Sequence, residues 1–360
     1  MKPNYVKNYS VPDPVKFSGH KVHNTLYEAK LAFATLSETD AVVVHSNIDM
    51  ATKLGVGLNG SKVGAQQLGL LPEVEHQRNM KNYLVKIVAN PIQSISSAKR
   101  IIKRKLNFTS SLDFLIAGGK NAERNNRYKT DKNTDIIKAH AQDYDRYLEA
   151  EMKGNALFSE QYESYAVFLD EDMVFHPDTL YLGVEPYCTE DTYYPEINRF
   201  FKEFEIKTGL DIIIAAHPRA DYENRVNPFE SRNIISGSTV SLVKHSSAVL
   251  AHGSTSLNFA VLYNKPVIIL DSLKYPLVYR NHINAMSSAL GSDIIIISEK
   301  YSTDLNQYVV DENKYAQYKE KYIKEPGTQE KFIWELFCDY LDEDLCTLST
   351  ANDSQVQNIL

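Results

Sequence analysis

Two short polar motifs, each placed directly after an apolar run, carry the clearest chemistry in this sequence of 360 residues. His217-Pro218-Arg219 follows the run Asp211–Ala216, and His252-Gly253-Ser254-Thr255-Ser256 follows Ala248–Ala251. Imidazole, guanidinium and hydroxyl groups donate hydrogen bonds to oxyanions. In open α/β sheets, ligands bind at the carboxyl ends of strands. The two motifs therefore predict a site for a phosphorylated ligand.

Each motif has a local physical reason for its residue types. Pro218 fixes φ and donates no backbone hydrogen bond, so it ends a strand and directs His217 outward. Arg219 offers a bidentate partner for phosphate or carboxylate. Gly253 permits a tight turn, after which hydroxyls and the amides of a helix N-terminus face an anion. The alternatives are a structural turn histidine and an ordinary helix cap.

A third motif consists of the consecutive carboxylates Asp170, Glu171 and Asp172, after the run Tyr165–Leu169. Carboxylates at a strand end are costly unless they are solvated, paired or bound to a cation. One of them is a candidate base or nucleophile at an electrophilic carbon. The Asp-x-Asp spacing also allows a divalent-metal site that holds a nucleotide diphosphate, and a solvated acidic loop is a third interpretation.

Two weaker signals lie in the first half of the chain. Gly118 and Gly119 follow the run Asp113–Ala117 and predict a flexible backbone that faces a ligand cleft. The basic segment Lys99–Lys105 has the residues to contact anionic lipid headgroups or a lipid-linked acceptor, but a solvated helix face is the favoured interpretation.

The elements that position these motifs follow an α/β pattern. Apolar runs alternate with helical periodicity, and continuous apolar runs are typical of parallel strands covered on both faces. The predicted strands are Ala41–His45, Tyr83–Val88, Asp113–Ala117, Tyr165–Leu169, Asp211–Ala216, Ala248–Ala251, Pro266–Leu270 and Asp293–Ile297. The predicted helices are Thr134–Lys153, Glu196–Lys207, Ser256–Leu262 and Gln329–Tyr340.

A chain of this length exceeds the usual size of a single core, which predicts two domains. We expect two Rossmann-like lobes that face a cleft, the natural place for a ligand. The predicted division is an N-terminal acceptor-side lobe over residues 1–155, a C-terminal donor-side lobe over 156–345, and a polar tail over 346–360.

Composition excludes several functions. The formal net charge of −7 argues against a general nucleic-acid binder. The sequence has neither an apolar run long enough to cross a bilayer nor a signal peptide, which favours the cytoplasm. Cys188, Cys338 and Cys346 lack zinc-site spacing and suit a reducing compartment, with Cys338 and Cys346 expected as small buried side chains.

In chain order, the acidic, His-Pro and serine/threonine motifs resemble the nucleotide-binding signature of bacterial CMP-sugar-dependent glycosyltransferases. That group includes the bacterial sialyltransferases and the β-Kdo transferases, which have a two-lobed GT-B-like fold. The motifs here are Asp170-Glu171-Asp172, His217-Pro218 and Ser254-Thr255-Ser256. The acidic motif of many sialyltransferases ends in glycine, whereas this chain has Asp172 at that position.

The resemblance implies transfer of an acidic 3-deoxy-ulosonic sugar from its CMP-activated form to a bacterial cell-surface glycan. His217 and the hydroxyls of Ser254–Ser256 then bind the CMP phosphate without a metal, and no cofactor is implied. Asp170, nearest the strand end, is the favoured catalytic carboxylate, and Arg219 is a candidate partner for the carboxylate of the donor. The sequence leaves inversion and retention of the sugar configuration both open.

The resemblance further implies a glycan or lipid-linked glycan acceptor, with the protein peripheral at the inner face of the cytoplasmic membrane. Two other functions fit the same motifs. One is a UDP-sugar-dependent glycosyltransferase or epimerase. Binding of Mn²⁺ by the acidic motif would support it. The other is a non-catalytic subunit of a polysaccharide assembly complex.

Overall fold

A computed structural model of the chain contains two sheets of entirely parallel strands. It describes residues 28, 31–32, 34–36, 41–44, 61–73, 112–124, 128, 130–153, 164–176, 178–179, 183–299 and 308–343. Each sheet comes from a separate stretch of sequence, the first before residue 140 and the second after residue 164. The predicted fold class, α/β with two Rossmann-like lobes, is confirmed.

The first sheet has the strand order β1-β2-β3-β4. These strands are Ala41–Val44, Lys62–Gln67, Phe114–Gly118 and Asp135–Ala139. Strand β2 escaped prediction because its sequence, KVGAQQ, has little apolar character. Gly64 lies opposite Phe114 in the register, and a Cβ at Gly64 would overlap the Phe114 ring, so the missing side chain makes room for it. The predicted strand Tyr83–Val88 lies outside the described residues.

Strand β4 corrects the prediction of one helix over Thr134–Lys153. The backbone of Asp135–Ala139 pairs with β3 along its whole length, and the helix begins only at Gln142. Periodicity over the joined segment concealed the change from strand to helix, because a strand of this length is too short to show its own repeat.

The second sheet has the strand order β10-β9-β8-β5-β6-β7. Its strands, in chain order from β5, are Tyr165–Leu169, Asp211–Ala215, Ile234–Ile235, Ala248–Ala251, Val267–Asp271 and Ile294–Ile296. The chain builds outward from β5 in one direction and then returns to place β8 on its other side. This reversal between β5 and β8 is the position where doubly wound sheets bind ligands.

Burial explains why the second sheet was the easier one to predict. Strands β5, β8 and β9 are buried at every residue, so continuous apolar runs encode them. Strands β5 and β8 have the predicted bounds, and the others shift by a residue or two at their ends. Strand β7, with only two residues, was not predicted.

Helices cover both sheets. The helices from α1 to α7 are Lys120–Arg124, Gln142–Lys153, Glu190–Thr208, Thr239–His245, Leu257–Leu262, Leu277–Leu290 and Glu312–Tyr318. A π-helical turn, Lys319–Ile323, follows α7, and α8 spans residues 333–343. Helix α3 starts earlier than predicted because Thr189 and Thr192 form a capping box at its N-terminus. Gly209 ends it at a φ of 70°.

Two helices pack on the lobe other than the one that the predicted division assigns to them. Tyr144 and Leu148 of α2 belong to the core of the second sheet. Ile333 and Phe337 of α8 pack on the first sheet, against Phe114. The packing therefore changes lobe near residue 141, before the predicted division at 155, and the last helix returns to the first lobe. Amphipathic patterns show that a helix has a buried face and not which sheet covers it.

Cys188 and Cys338 are free thiols, and Cys338 is exposed. The prediction that Cys338 is buried is therefore wrong: its position on α8 faces away from the side that Ile333 and Phe337 bury. Cys346 and the basic segment 99–105 lie outside the described residues. Among the described helices, none combines the length and the apolar character needed to span a bilayer.

Gly119→Ala is expected to lower the free energy of unfolding by about 2 kcal/mol. Gly119 has a φ of 81°, and a Cβ there would lie 2.8 Å from the carbonyl oxygen of Lys321. Urea unfolding measures the change. Gly69→Ala is the control, since no atom lies within 4 Å of an added Cβ at that position. Equal stability of the two variants would contradict this account of the packing between β3 and the π-helical turn.

Candidate functional site

A cavity of about 540 Å³ opens at the carboxyl edge of the second sheet, beside the reversal between β5 and β8. Leu71, which follows β2 in the chain, also lines it and packs on the core of the second sheet. The other residues that line it are Glu171, Met173, His176, Asp178, Thr179, Val184, Glu185, Tyr187, His217, Gly253, Ser254, Thr255, Val278, Tyr279 and His282. Predicted residues from all three motifs therefore meet in one cavity.

Glu171 bridges the sheet reversal. Its Oε1 accepts a hydrogen bond from the backbone amide of Gly253 at 2.8 Å, and its Oε2 accepts one from the Tyr279 hydroxyl at 2.9 Å. Burial raises the pKa of the Glu171 carboxyl, and these two donors oppose the rise. The carboxylate is therefore held in one orientation at the wall of the cavity.

The backbone at Gly253 leaves no space for a side chain. The ring of His282 donates from Nε2 to the carbonyl oxygen of Gly253 at 2.8 Å. A Cβ at Gly253 would lie 2.5 Å from Cδ2 of the same ring. A side chain at this position would therefore displace the His282 ring from its hydrogen bond.

Two imidazoles stand side by side in the cavity. Nδ1 of His217 accepts from the backbone amide of Arg219 at 3.3 Å, and Nδ1 of His176 accepts from the amide of Asp178 at 3.2 Å. With Nδ1 occupied as an acceptor, each neutral ring carries its proton on Nε2. The ring centroids of His176 and His217 are 4.8 Å apart.

Both histidines are held in the neutral form. Burial, together with the smaller effects of the neighbouring His176 and Arg219, lowers the pKa of His217 to about 4, against the opposing effect of Asp178. Burial also lowers the pKa of His176, against the opposing effect of Asp178. The pair therefore offers Nε2–H donors without formal charge at neutral pH.

Asp170, the carboxylate that the sequence favoured for catalysis, does not line the cavity. It is 4% exposed and accepts from the Tyr222 hydroxyl at 2.7 Å and from the backbone amides of Asp172 and His217 at 3.0 and 3.5 Å. Burial raises its pKa to about 7. Because neighbouring residues at the end of a strand point in opposite directions, Asp170 faces inward where Glu171 faces the cavity.

Asp172 is a buried structural residue. Its carboxylate pairs with Arg225 at 3.0 Å, and the Arg225 guanidinium lies over the Phe175 ring. Burial raises the pKa of Asp172, and the Arg225 bond opposes the rise. The backbone φ of Asp172 is 46°, a conformation that glycine adopts most readily. The position where the resembling family has glycine therefore has a backbone suited to glycine.

Arg219 is engaged outside the cavity wall. Its guanidinium forms a bidentate pair with Asp178, with N–O distances of 2.8 and 3.0 Å. Pro218 is exposed in the turn after β6 and does not line the cavity. The turn after β6 is thus tied to the loop after β5 on the surface, and the predicted role of Arg219 in holding the donor stays a prediction.

The serine/threonine motif divides between the cavity and the protein interior. Ser254 and Thr255 line the cavity, whereas Ser256 occupies the N-cap position of α5 and donates its backbone amide to Oγ of Ser254 at 3.2 Å. His252 has no exposed surface: Nδ1 donates to the Leu270 carbonyl oxygen and Nε2 accepts from the Tyr193 hydroxyl. The prediction that His252 binds a ligand is corrected, because both of its nitrogens serve the core.

Gly118 and Gly119, also predicted to bind a ligand, do not line the cavity. A Cβ at Gly118 would lie 2.8 Å from the carbonyl oxygen of His140, and a Cβ at Gly119 equally close to that of Lys321. Both glycines therefore allow close contact between backbones. The two glycines do allow a close approach, but the neighbour that approaches is protein backbone and not a ligand.

Several lining residues were not predicted. The loop after β5 carries a second His-Pro dipeptide, His176-Pro177, and that repeat is the signal that identifies His176. Tyr279 and His282 come from α6, which crosses the cavity only in the folded protein. Among the described residues, no group of three or more potential metal ligands is found.

Comparisons with known proteins concern the fold. The sequence matches no family model and no curated protein. The structure is similar to the UDP-GlcNAc 2-epimerase of Methanocaldococcus jannaschii in complex with UDP-GlcNAc and UDP, with 15% identity over 87% of this chain and 79% of that chain and a TM-score of 0.43. It is also similar to the spinosyn forosaminyltransferase SpnP, with 12% identity over 77% and 68% of the chains and a TM-score of 0.35.

A further similar structure is the glycosyltransferase SnogD from Streptomyces nogalater. The identity is 9%, the coverage is 81% of this chain and 72% of that chain, and the TM-score is 0.39.

The ring of His217 is expected to stay neutral down to a pH of about 4, with its proton on Nε2. Long-range ¹H–¹⁵N NMR spectra identify the protonated nitrogen and follow the titration. Because the depressed pKa lies below physiological pH, the spectrum of this ring should not change between pH 6 and pH 8. A midpoint near the ordinary value of about 6.5 would contradict the burial argument.

Proposed function

We propose that this protein is a glycosyltransferase that takes its sugar from a nucleotide-activated donor. The observation that carries the proposal is the meeting of Glu171, His217 and Ser254 in one cavity at the carboxyl edge of the second sheet. These residues follow three different strands, β5, β6 and β8, whose ends adjoin at the sheet reversal. A carboxylate beside oxyanion donors supplies the two functions that glycosyl transfer needs, namely a base and a stabiliser of the leaving phosphate.

The leaving phosphate interacts with neutral donors in this proposal. The Nε2–H groups of His176 and His217 and the hydroxyls of Ser254 and Thr255 bind its oxygens. Such donors stabilise negative charge as the bond to the sugar breaks, without an ion pair that would hold the product nucleotide. The described lining contains neither lysine nor arginine, which suits a single phosphate better than a diphosphate.

Glu171 is the carboxylate that acts on the sugar or acceptor. In an inverting transfer, Glu171 takes the proton of the acceptor hydroxyl as its oxygen bonds to the anomeric carbon and the nucleotide leaves. In a retaining transfer, Glu171 attacks the anomeric carbon as the nucleotide leaves, and the acceptor hydroxyl, losing its proton to the departed phosphate, then displaces Glu171 from that carbon. Burial raises its pKa and makes it a stronger base at neutral pH.

The donor proposed first is a CMP-activated 3-deoxy-ulosonic sugar, of the Kdo or the sialic, pseudaminic or legionaminic type. The three motifs occur in the order of the CMP-sugar-dependent family and converge on one cavity. The φ of 46° at Asp172 supports the alignment of Asp170-Glu171-Asp172 with an acidic motif that ends in glycine.

A UDP-sugar is the second candidate, for a transferase or an epimerase. The carboxylates of Glu171 and Glu185 line the cavity. They disfavour the carboxylate of an acidic sugar, whereas the hydroxyls of a neutral sugar donate to them. The nucleotide preference of the protein decides between the two donors.

The acceptor in this proposal is a surface glycan or lipid-linked glycan of a bacterium. The transfer would take place in the cytoplasm, with the protein peripheral at the membrane. A non-catalytic subunit of polysaccharide assembly is the contrasting function. It predicts nucleotide binding without turnover.

Glu171→Gln is expected to reduce turnover by about 10²- to 10⁴-fold, the usual contribution of a general base. The amide keeps an oxygen for the Gly253 backbone, so nucleotide binding should change little. Turnover is measured as release of the nucleotide, first with a CMP-activated acidic sugar and then with a UDP-sugar.

Asp170→Asn is the matched control for Glu171→Gln. Asp170 touches Tyr222 and backbone amides and does not line the cavity, so this variant should keep most of its turnover. The opposite pattern, with Asp170→Asn inactive and Glu171→Gln active, would return the catalytic role to Asp170.

CMP is expected to raise the unfolding temperature more than CDP, UDP, GDP or ADP. A ligand at a hundred times its Kd adds about 2.7 kcal/mol of stability. His217→Ala should weaken CMP binding roughly tenfold or more, because one hydrogen bond to a charged phosphate is lost.

His245→Ala is the control for His217→Ala, since the His245 ring contacts the Ser241 carbonyl oxygen on α4 and does not line the cavity. A larger shift with UDP than with CMP selects the second candidate. The absence of a shift with every nucleotide would reject a nucleotide-dependent transferase.

A further inference from the structure

One wall of the cavity differs in chemistry from the rest. Val184 and Tyr187, from the loop before α3, and Val278, from α6, line this side and are 53%, 44% and 68% exposed. We name these three side chains the apolar wall. The oxyanion donors His176, His217 and Ser254 come instead from the loops after β5, β6 and β8. One cavity thus offers polar donors and a separate apolar surface.

Tyr187 is a preformed stacking surface within the apolar wall. Its ring stacks on that of Tyr279, with centroids 4.6 Å apart and an interplanar angle of 24°. Tyr279 is 6% exposed and its hydroxyl is bonded to Glu171, so one face of the Tyr187 ring rests on a fixed support. An aromatic ring held in this way binds a planar ring on its other face at little cost in conformational entropy.

Glu185 lies two residues before Tyr187 and lines the same cavity. A carboxylate only accepts hydrogen bonds at neutral pH. Cytosine has an amino group at C4, which donates hydrogen bonds, whereas uracil has a carbonyl at C4, which accepts them. A carboxylate beside the base therefore attracts the amino group and repels the carbonyl.

We propose that the apolar wall binds the nucleobase of the donor, stacked on Tyr187, and that Glu185 selects cytosine over uracil. This inference rests on the proposed function and names the part of the donor that each side of the cavity recognises. The apolar wall gives affinity for any pyrimidine, and the Glu185 carboxylate gives the choice between the two pyrimidines.

Calorimetric titration with CMP and UMP tests the inference, because the two nucleotides differ only in the base. The wild-type protein should bind CMP about three- to tenfold more tightly than UMP, the effect of one partly exposed hydrogen bond. Glu185→Gln should remove that preference, because the amide both donates and accepts. Tyr187→Leu should weaken both nucleotides about tenfold or more, and Tyr187→Phe should not.

The possible failures are separate. If wild-type protein binds neither nucleotide, the proposed function fails and takes the inference with it. If CMP binds and His217→Ala weakens it, while Tyr187→Leu and Glu185→Gln have no effect, the proposed function stands and the inference is overturned. A wild-type preference for UMP overturns the role of Glu185. Both substituted side chains are exposed, so unchanged unfolding temperatures confirm that the variants fold.

Discussion

The bond between the Glu171 carboxylate and the Gly253 amide is the interaction on which the site depends. It joins the ends of β5 and β8, the two strands between which the order of the sheet reverses. At a reversal, the connections that follow the two strands leave in opposite directions, and the crevice between them has backbone amides that need acceptors. Glu171 satisfies one such amide and keeps its carboxylate at the cavity. The Glu171 side chain therefore both joins the ends of β5 and β8 and supplies the carboxylate proposed to react.

Burial without full charge pairing sets the electrostatics of this edge. It raises the pKa of Asp170 and Glu171 and lowers that of His217. The histidines consequently act as neutral hydrogen-bond donors, and the carboxylates are more basic than in water. An arginine in the cavity would oppose the rise in the carboxylate pKa values and would lower the histidine pKa values further. Arg219 and Arg225 are instead paired with Asp178 and Asp172, respectively.

The second lobe was the more predictable one because its strands are buried on both faces and are written as apolar runs. Strand β5 and strand β8 have their predicted bounds, and the polar motifs after them lie at the carboxyl edge as expected. The first lobe was harder to predict: half of the residues of β2 are polar, and the prediction merged β4 with a helix. The sequence also did not predict which sheet α2 and α8 pack on, because an amphipathic pattern identifies the buried face of a helix but not the sheet that it contacts.

By itself, the sequence determined that the chain is α/β and that three polar motifs end buried strands, because both properties depend on local patterns of burial and on residue chemistry. Only the tertiary structure decided which members of each motif face the cavity. Asp170 and Glu171 are neighbours in the chain, yet one serves the core and the other the cavity. His252 and Ser254 divide in the same way. Direction depends on backbone conformation and on elements distant in sequence, such as α6, and these exist only in the folded chain.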